Sequence, residues 1–114
     1  MLSQTHRLRG HRIPIILKQG RRVHAEIASL IILSIEPSET SHIGIIVPMK
    51  LSKKAVHRNR TKRLISESVR TFIATVKPGF EILIMAKKLL REEKLGDVLP
   101  KISEAFKKAD LLKP

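Results

Sequence analysis

The run Leu30-Ile31-Ile32-Leu33 limits the fold of this chain more than any other stretch. A strand with one wet face alternates apolar and polar residues, whereas consecutive aliphatic side chains point to both faces and need cover on each. From Val23 to Ile35 the β-branched and aliphatic residues first alternate and then run together, which predicts a strand covered on both faces and long enough to bend or break. Helices must therefore pack against a sheet. The chain has 114 residues, 42% of them hydrophobic, which is enough for one core, and it is read as a single domain spanning 1–114.

The remaining punctuation places the other elements. Ile13 to Leu17, with Pro14 in its first turn and Gly20 as a stop, suits a short helix. Pro37, Ser38 and Ser41 make a turn before a strand from His42 to Val47, which Pro48 closes. Phe80 to Ala86 is a further strand, entered through Pro78-Gly79. Between them Ile65, Val69, Phe72, Ile73 and Val76 recur at helical spacing, and Ser52 is a plausible N-cap for the extended pattern. A last amphipathic helix runs from Asp97 as N-cap through Leu112, with Ile102, Ala105, Phe106 and Ala109 on one side. The order describes an α/β sandwich with a βαβ connection.

Charge is the abnormal feature. Twenty-three Lys and Arg against ten Asp and Glu give +13, and the excess is not spread evenly. Residues 1–25 hold six Lys/Arg and no acid, residues 40–66 hold seven and no acid, and the rest of the chain sums to zero. Such blocks self-repel unless a polyanion is the usual partner. A solvated helix face is the ordinary reading of a charge run, but an acid-free block lacks the ion-pair partners that such a face carries. Lys50 to Arg63 contains all seven cations of the second block, and Asn59 between Arg58 and Arg60 adds a donor and acceptor for sugar or base edges. Arg58, Lys62, Ile65 and Val69 fall at steps of 4, 3 and 4. One stripe is thus basic and then apolar, as if the first turns of the helix projected past the core.

Several functional classes are poorly supported. No cysteine is present, which excludes a thiol nucleophile and Cys-ligated metals and fits a reducing cytoplasm. His6, His11, His24, His42 and His57 form no HExxH pair, and no phosphate-cradling glycine motif occurs. The N-terminus lacks the apolar core of a signal peptide, and the longest apolar stretch is far short of a membrane span. The expectation is a soluble cytoplasmic protein with no membrane partner and no catalytic constellation of its own.

At Lys53-Lys54-Ala55-Val56-His57-Arg58-Asn59-Arg60-Thr61-Lys62-Arg63-Leu64 the sequence resembles the protein subunit of bacterial ribonuclease P, whose hallmark is K-[KR]-A-[VH]-x-R-N-R-x-K-R-L. Gly44-Ile45-Ile46-Val47, Glu67 with Arg70, Arg7-Leu8, Gly20-Arg21 and Ile82 to Lys87 extend the likeness. The resemblance implies a two-layer α/β sandwich with an about four-stranded mixed sheet and a left-handed βαβ crossover. It implies a cofactor of a catalytic RNA that removes the 5′ leader of precursor tRNA, with Mg2+ held mainly by that RNA and no protein oligomer required. Docking on the RNA subunit then falls to Lys53, Lys54, Arg58, Asn59, Arg60, Lys62 and Arg63. A cleft between the first helix and the sheet would grip the single-stranded leader through Arg9, Ile13, Leu17, Ile31 and Lys87.

Departures from the family bear on that cleft. Aliphatic Ile13 and Leu17 stand where Phe is usual, and Ala28 and Ile31 lie where the first strand carries aromatics. Stacking is worth about 1–3 kcal/mol per base, so an aliphatic cleft should hold a leader more by shape and charge. Met49 replaces a common Lys and Ser66 a common Arg. A general or ribosome-associated RNA-binding protein is the main alternative, and an autonomous nuclease or metalloenzyme a third.

Overall fold

A computed structural model describes residue 2 and residues 4–114. Short 3-10 turns at Gln4–His6 and Gly10–Arg12 lead into α1 (Ile13–Gln19), then β1 (Arg21–His24), β2 (Ala28–Ser34) and β3 (His42–Ile46). A 3-10 turn at Met49–Leu51 precedes α2 (Ala55–Phe72), which is followed by β4 (Phe80–Ala86) and α3 (Leu95–Lys108). The four strands form one mixed sheet in the order β1-β2-β4-β3. Neighbours β1, β2 and β4 run antiparallel, and β3 pairs in parallel with β4 through the α2 crossover.

The long apolar segment does break. Ala25 donates its N–H to the Ala28 carbonyl at 3.0 Å, and Lys87 donates to Ile27 at 2.9 Å, so residues 25–27 turn the chain back and β1 pairs with β2. Because β2 lies between β1 and β4, its side chains are covered on both faces, as the continuous aliphatic run demands. Leu30, Ile32, Ile82, Ile84 and Ile43 face α2 and α3, where they meet Ile65, Val69, Ile102 and Phe106. Phe72 and Phe106 pack edge to face at 5.0 Å between ring centres. The opposite face carries a smaller cluster of Leu8, Ile16, Ile31 and Leu83 under α1.

Boundaries differ from the sequence expectation for local reasons. α2 begins at Ala55, with Lys54 rather than Ser52 at the N-cap position. The Ser52 hydroxyl instead accepts the Lys54 N–H at 3.1 Å, so it shapes the turn ahead of the helix. Asp97 is the third helical residue of α3, not its cap: its carboxylate accepts the N–H of Lys94, the true N-cap, at 3.0 Å. α3 stops at Lys108, after which Asp110 takes φ 58° and Leu112 bridges back to Val76. Gly20 ends α1 in an extended conformation, and its value is space: a Cβ there would lie 2.7 Å from the Ile16 carbonyl and 2.8 Å from Ile31. Gly79, at φ 90°, supplies the left-handed turn before β4.

Candidate nucleic-acid interface

The α2 start is built without any of the usual anionic support. No acidic residue lies in its first turn, no side chain caps it, and Lys53, Lys54, Arg58, Arg60, Lys62 and Arg63 crowd its positive end. Charges of that sign at a helix N-terminus oppose the helix dipole, where anions would be stabilised by about 0.3–1 kcal/mol each. The sequence tolerates this because neutral carbonyls and buried contacts hold the segment in place. Arg58 Nη1 donates to the Ser52 carbonyl at 2.6 Å. Arg60 donates through Nε to Arg91 O and through Nη2 to Glu93 O, both at 3.0 Å. Thr61, fully buried, donates to the His57 carbonyl at 3.1 Å and accepts the buried Leu90 N–H at 2.9 Å, which ties α2 to the loop after β4.

These bonds fix geometry without cancelling charge. The four ion pairs among the described residues are Arg12–Glu81, Arg70–Glu67, Lys77–Asp110 and Lys101–Glu26, and none includes a cation of residues 50–63. Lys53, Lys54, Asn59, Arg60, Lys62 and Arg63 are exposed, and Arg58 is half-buried. Arg58 and Lys62 stand at i and i+4 on α2 as the spacing predicts, but the expectation that the first turns project past the core is corrected, because Thr61 in the second turn is fully buried. The inward stripe runs through Thr61, Ile65, Ser68 and Val69, Arg58 turns aside to Ser52, and Asn59, Lys62 and Arg63 share the outward face at i, i+3 and i+4. Thr61 extends the buried stripe one turn further than apolar spacing reveals. Met49 is 67% exposed, whereas Ser66 is buried, so only the first marks a surface cation replaced.

Beside this face His57, Arg60, Leu89, Arg91, Glu92 and Glu93 line a groove of about 560 Å³. Desolvation, with the charges of Arg91 and Lys54, holds the His57 imidazole below the usual histidine pKa. Its ring nitrogen stands 3.5 Å from the Ser52 hydroxyl. Backbone N–H groups of residues 93 and 92 lower the Glu93 carboxyl.

The residues expected for a leader cleft are dispersed by the sheet. Register places Ile46, Met85, Ser29 and His24 in one row across all four strands, and Gly44, Leu83, Ile31 and Arg22 in the next. Both rows face away from α2 and α3. α1 and Leu8 roof the second row, and Leu8 sits where a Cβ on Gly44 would lie 2.9 Å away. Ile31 is therefore wholly buried and is corrected from a contact residue to part of the floor. Ile13 and Leu17, half-buried, flank the more open first row, beside half-buried Ile46 and Met85. Lys87 closes that end, its Nζ donating to Ala25 O at 2.8 Å. Arg9 lies at the far end of the sheet, in a groove of about 690 Å³ with Arg7, His11 and His42, one β4 strand length or about 20 Å from Lys87.

Among the described residues no group of three or more His, Asp or Glu side chains converges where a metal ion could be held. No helix among the described residues is long and apolar enough to cross a membrane.

Comparison with known proteins places the chain in a family. A family profile described as Ribonuclease P matches residues 2–110. A ribonuclease P protein component of Picosynechococcus sp. is 37% identical over 92 residues, which cover 80% of this chain and 78% of that protein. One from Symbiobacterium thermophilum is 31% identical, covering 85% and 84%. The fold superimposes on the RNase P protein of Staphylococcus aureus with a TM-score of 0.81 at 20% identity, covering 95% and 98%, and on that of Thermotoga maritima with 0.75 at 25%, covering 90% and 96%. By profile, relatives and fold together, the chain belongs to the bacterial ribonuclease P protein family.

Proposed function

We propose that the chain acts inside ribonuclease P as a cofactor without catalytic residues, docking on the RNA subunit through the α2 face and holding the precursor tRNA leader across the open sheet row. The observation that carries this reading is the α2 start: seven cations in residues 50–63, none ion-paired to a described residue, with Arg58 and Arg60 fixed by bonds to neutral carbonyls. Arg58 and Arg60, held in this way, lose little side-chain freedom when phosphates arrive, and each phosphate contact releases a counterion. Lys53, Lys54, Lys62 and Arg63 supply point or forked contacts to phosphate, and Asn59 can reach sugar or base edges between them. Arg58 and Arg60 retain donors beyond those used on Ser52, Arg91 and Glu93.

Hydrolysis belongs to the RNA subunit in this reading, and Mg2+ is held mainly there, as the family resemblance implies. The protein's part is to neutralise phosphate repulsion and position substrate. Ile13, Leu17, Ile46 and Met85 give the leader an apolar surface, and Lys87 a cation at its edge. Adding the protein to its cognate RNA subunit at low magnesium should raise the rate of 5′ leader removal. Absence of any stimulation would overturn the reading, and cleavage by RNA-free protein would move the chemistry to the chain itself.

A further inference from the structure

The sequence offers the leader no phenyl or phenol ring in its cleft, because it has no Tyr, Phe72 and Phe106 pack together on the other side of the sheet, and Phe80 packs against the same core. The open row nevertheless contains one flat ring. Val23 packs into the α3 side of the sheet, so its neighbours Arg22 and His24 project from the opposite, cleft face of the edge strand β1. His24 is exposed, and its Nδ1 lies 2.9 Å from the hydroxyl of Ser29, the next residue of the row and itself 8% exposed. That bond restrains the ring on the sheet and leaves the other nitrogen and a ring face to solvent. The apolar part of the row, Met85 and Ile46, continues from Ser29 toward α2.

Cations surround the same strand. Arg22 Nη2 donates to the Leu17 carbonyl at 3.4 Å, at the end of α1. Lys108 Nζ donates to the His24 carbonyl at 2.7 Å, and Lys87 Nζ to the Ala25 carbonyl at 2.8 Å. Each acceptor is neutral, so Arg22 and Lys87 keep their charge beside the strand, whereas Lys108, on the α3 side, shares a groove with Glu26 and Glu104. A planar ring with phosphate-binding charges on either side is the arrangement that holds an unpaired nucleotide: the base stacks, and its flanking phosphates meet the cations. None of the RNA-docking residues on α2 belongs to this patch, in which Arg22 and His24 come from the first acid-free block of the sequence and Lys87 and Lys108 from the end of β4 and from α3 beyond it.

We infer that His24 is the stacking platform for a base of the single-stranded 5′ leader, with Arg22 and Lys87 as its phosphate partners. The leader therefore leaves the cleft across the edge strand β1. The inference rests on the leader-binding reading above and adds the residue, the direction of the strand and the kind of contact. Affinity in this site comes from ring stacking and charge, so it favours no particular base.

The test uses holoenzyme reconstituted from the full chain and its RNA subunit, with two precursor tRNAs that differ only in leader length, one bearing a single leader nucleotide and one a leader long enough to reach β1. His24→Ala should weaken binding of the long-leader substrate about fivefold, the low end expected for loss of one stacked base, and leave the single-nucleotide substrate unchanged. His24→Phe, which keeps a ring and loses the Ser29 bond, should restore at least half of that difference. Equal weakening for both substrates, no weakening, or failure of the Phe variant to restore binding each overturns the inference. A native holoenzyme that stimulates cleavage but shows no preference for the long leader overturns it together with the cleft reading. A native protein that fails to stimulate at all defeats the ribonuclease P reading itself.

Discussion

Arg12 and Arg58 come from the two acid-free blocks of the sequence, yet the fold treats them in opposite ways. Arg12, at the start of α1, meets a carboxylate recruited from 69 residues away: Nε and Nη2 donate to the two oxygens of Glu81 at 2.9 and 2.7 Å. Glu81 is 4% exposed, in a strand position otherwise filled by aliphatic residues, and its charge raises the Arg12 pKa through the hydrogen bond and coulombic attraction. Arg58 meets only the Ser52 carbonyl at 2.6 Å. One arginine is thereby spent on the fold and the other is held in place with its charge still on offer. An acid-free stretch of sequence does not distinguish them, because the compensating carboxylate is remote in sequence.

The largest effect expected from this contrast is on stability. Arg12→Ala leaves Glu81 inside the sheet without its partner, and removal of one member of a buried pair costs about 3 kcal/mol. Urea unfolding of the variant should show that loss, while Arg12→Ala with Glu81→Gln should recover part of it, since no charge is then stranded. RNA affinity measured where both proteins are folded should keep its salt dependence. A stable single variant would mean that Glu81 is hydrated rather than buried, and the contrast with Arg58 would collapse.

Thr61 tests the other half of the comparison, because it anchors the α2 start without using charge. Thr61→Val keeps the shape and removes the acceptor of the buried Leu90 N–H, a loss of about 1–2 kcal/mol. Hydrogen exchange should quicken at the Leu90 amide and leave the β2–β4 ladder protected. Unchanged exchange there would show that the loop after β4 is held by Arg60 alone.

Lys53→Ala with Lys62→Ala removes two exposed cations that hold nothing in the fold. Stability should stay within about 0.5 kcal/mol of the native protein. Two lost contacts to single-stranded phosphates flatten the salt dependence of RNA affinity by about 1.4 in log–log slope, and contacts to duplex regions by slightly more. An unchanged slope would place both residues off the interface, and with them the claim that unpaired charge marks it.

How far the sequence carries depends on whether the determining contact is local. The α2 motif was legible residue by residue, since charge, missing acids and an Arg-Asn-Arg pattern are all adjacent in sequence, and the double cover on β2 followed from Leu30 to Leu33 alone. Helix caps were misassigned because Ser52 and Asp97 are good capping residues that the chain uses one turn off, at positions set by the loops feeding α2 and α3. Thr61 went unseen because a polar residue in a buried stripe signals only through its partner, Leu90, 29 residues later. The cleft was the least legible region. Its rows exist only through the register of four strands, and register turned Ile31 into floor and brought His24 beside Ser29 and Met85.

The smallest effect concerns His57, which sits between Lys54 and Arg91 and is held below the ordinary histidine pKa first by desolvation and then by those charges. In the free protein the folded-state pKa is the lower one, so below 6.5 the unfolded chain binds the proton more readily and folding stability falls with pH; above 6.5 both states are neutral and the effect vanishes. Phosphates seated on Lys54 and Arg91 reverse the electrostatics at the ring. The bound pKa rises above the free one, RNA binding takes up a proton, and affinity must increase as pH falls through the interval between the two values. RNA affinity measured on either side of 6.5 should therefore strengthen at the acid side for the native protein and lose that component in His57→Asn. The same pH dependence in both proteins would mean that no phosphate reaches the groove beside Arg91, and would restrict the RNA contact to the outward face of Asn59, Lys62 and Arg63.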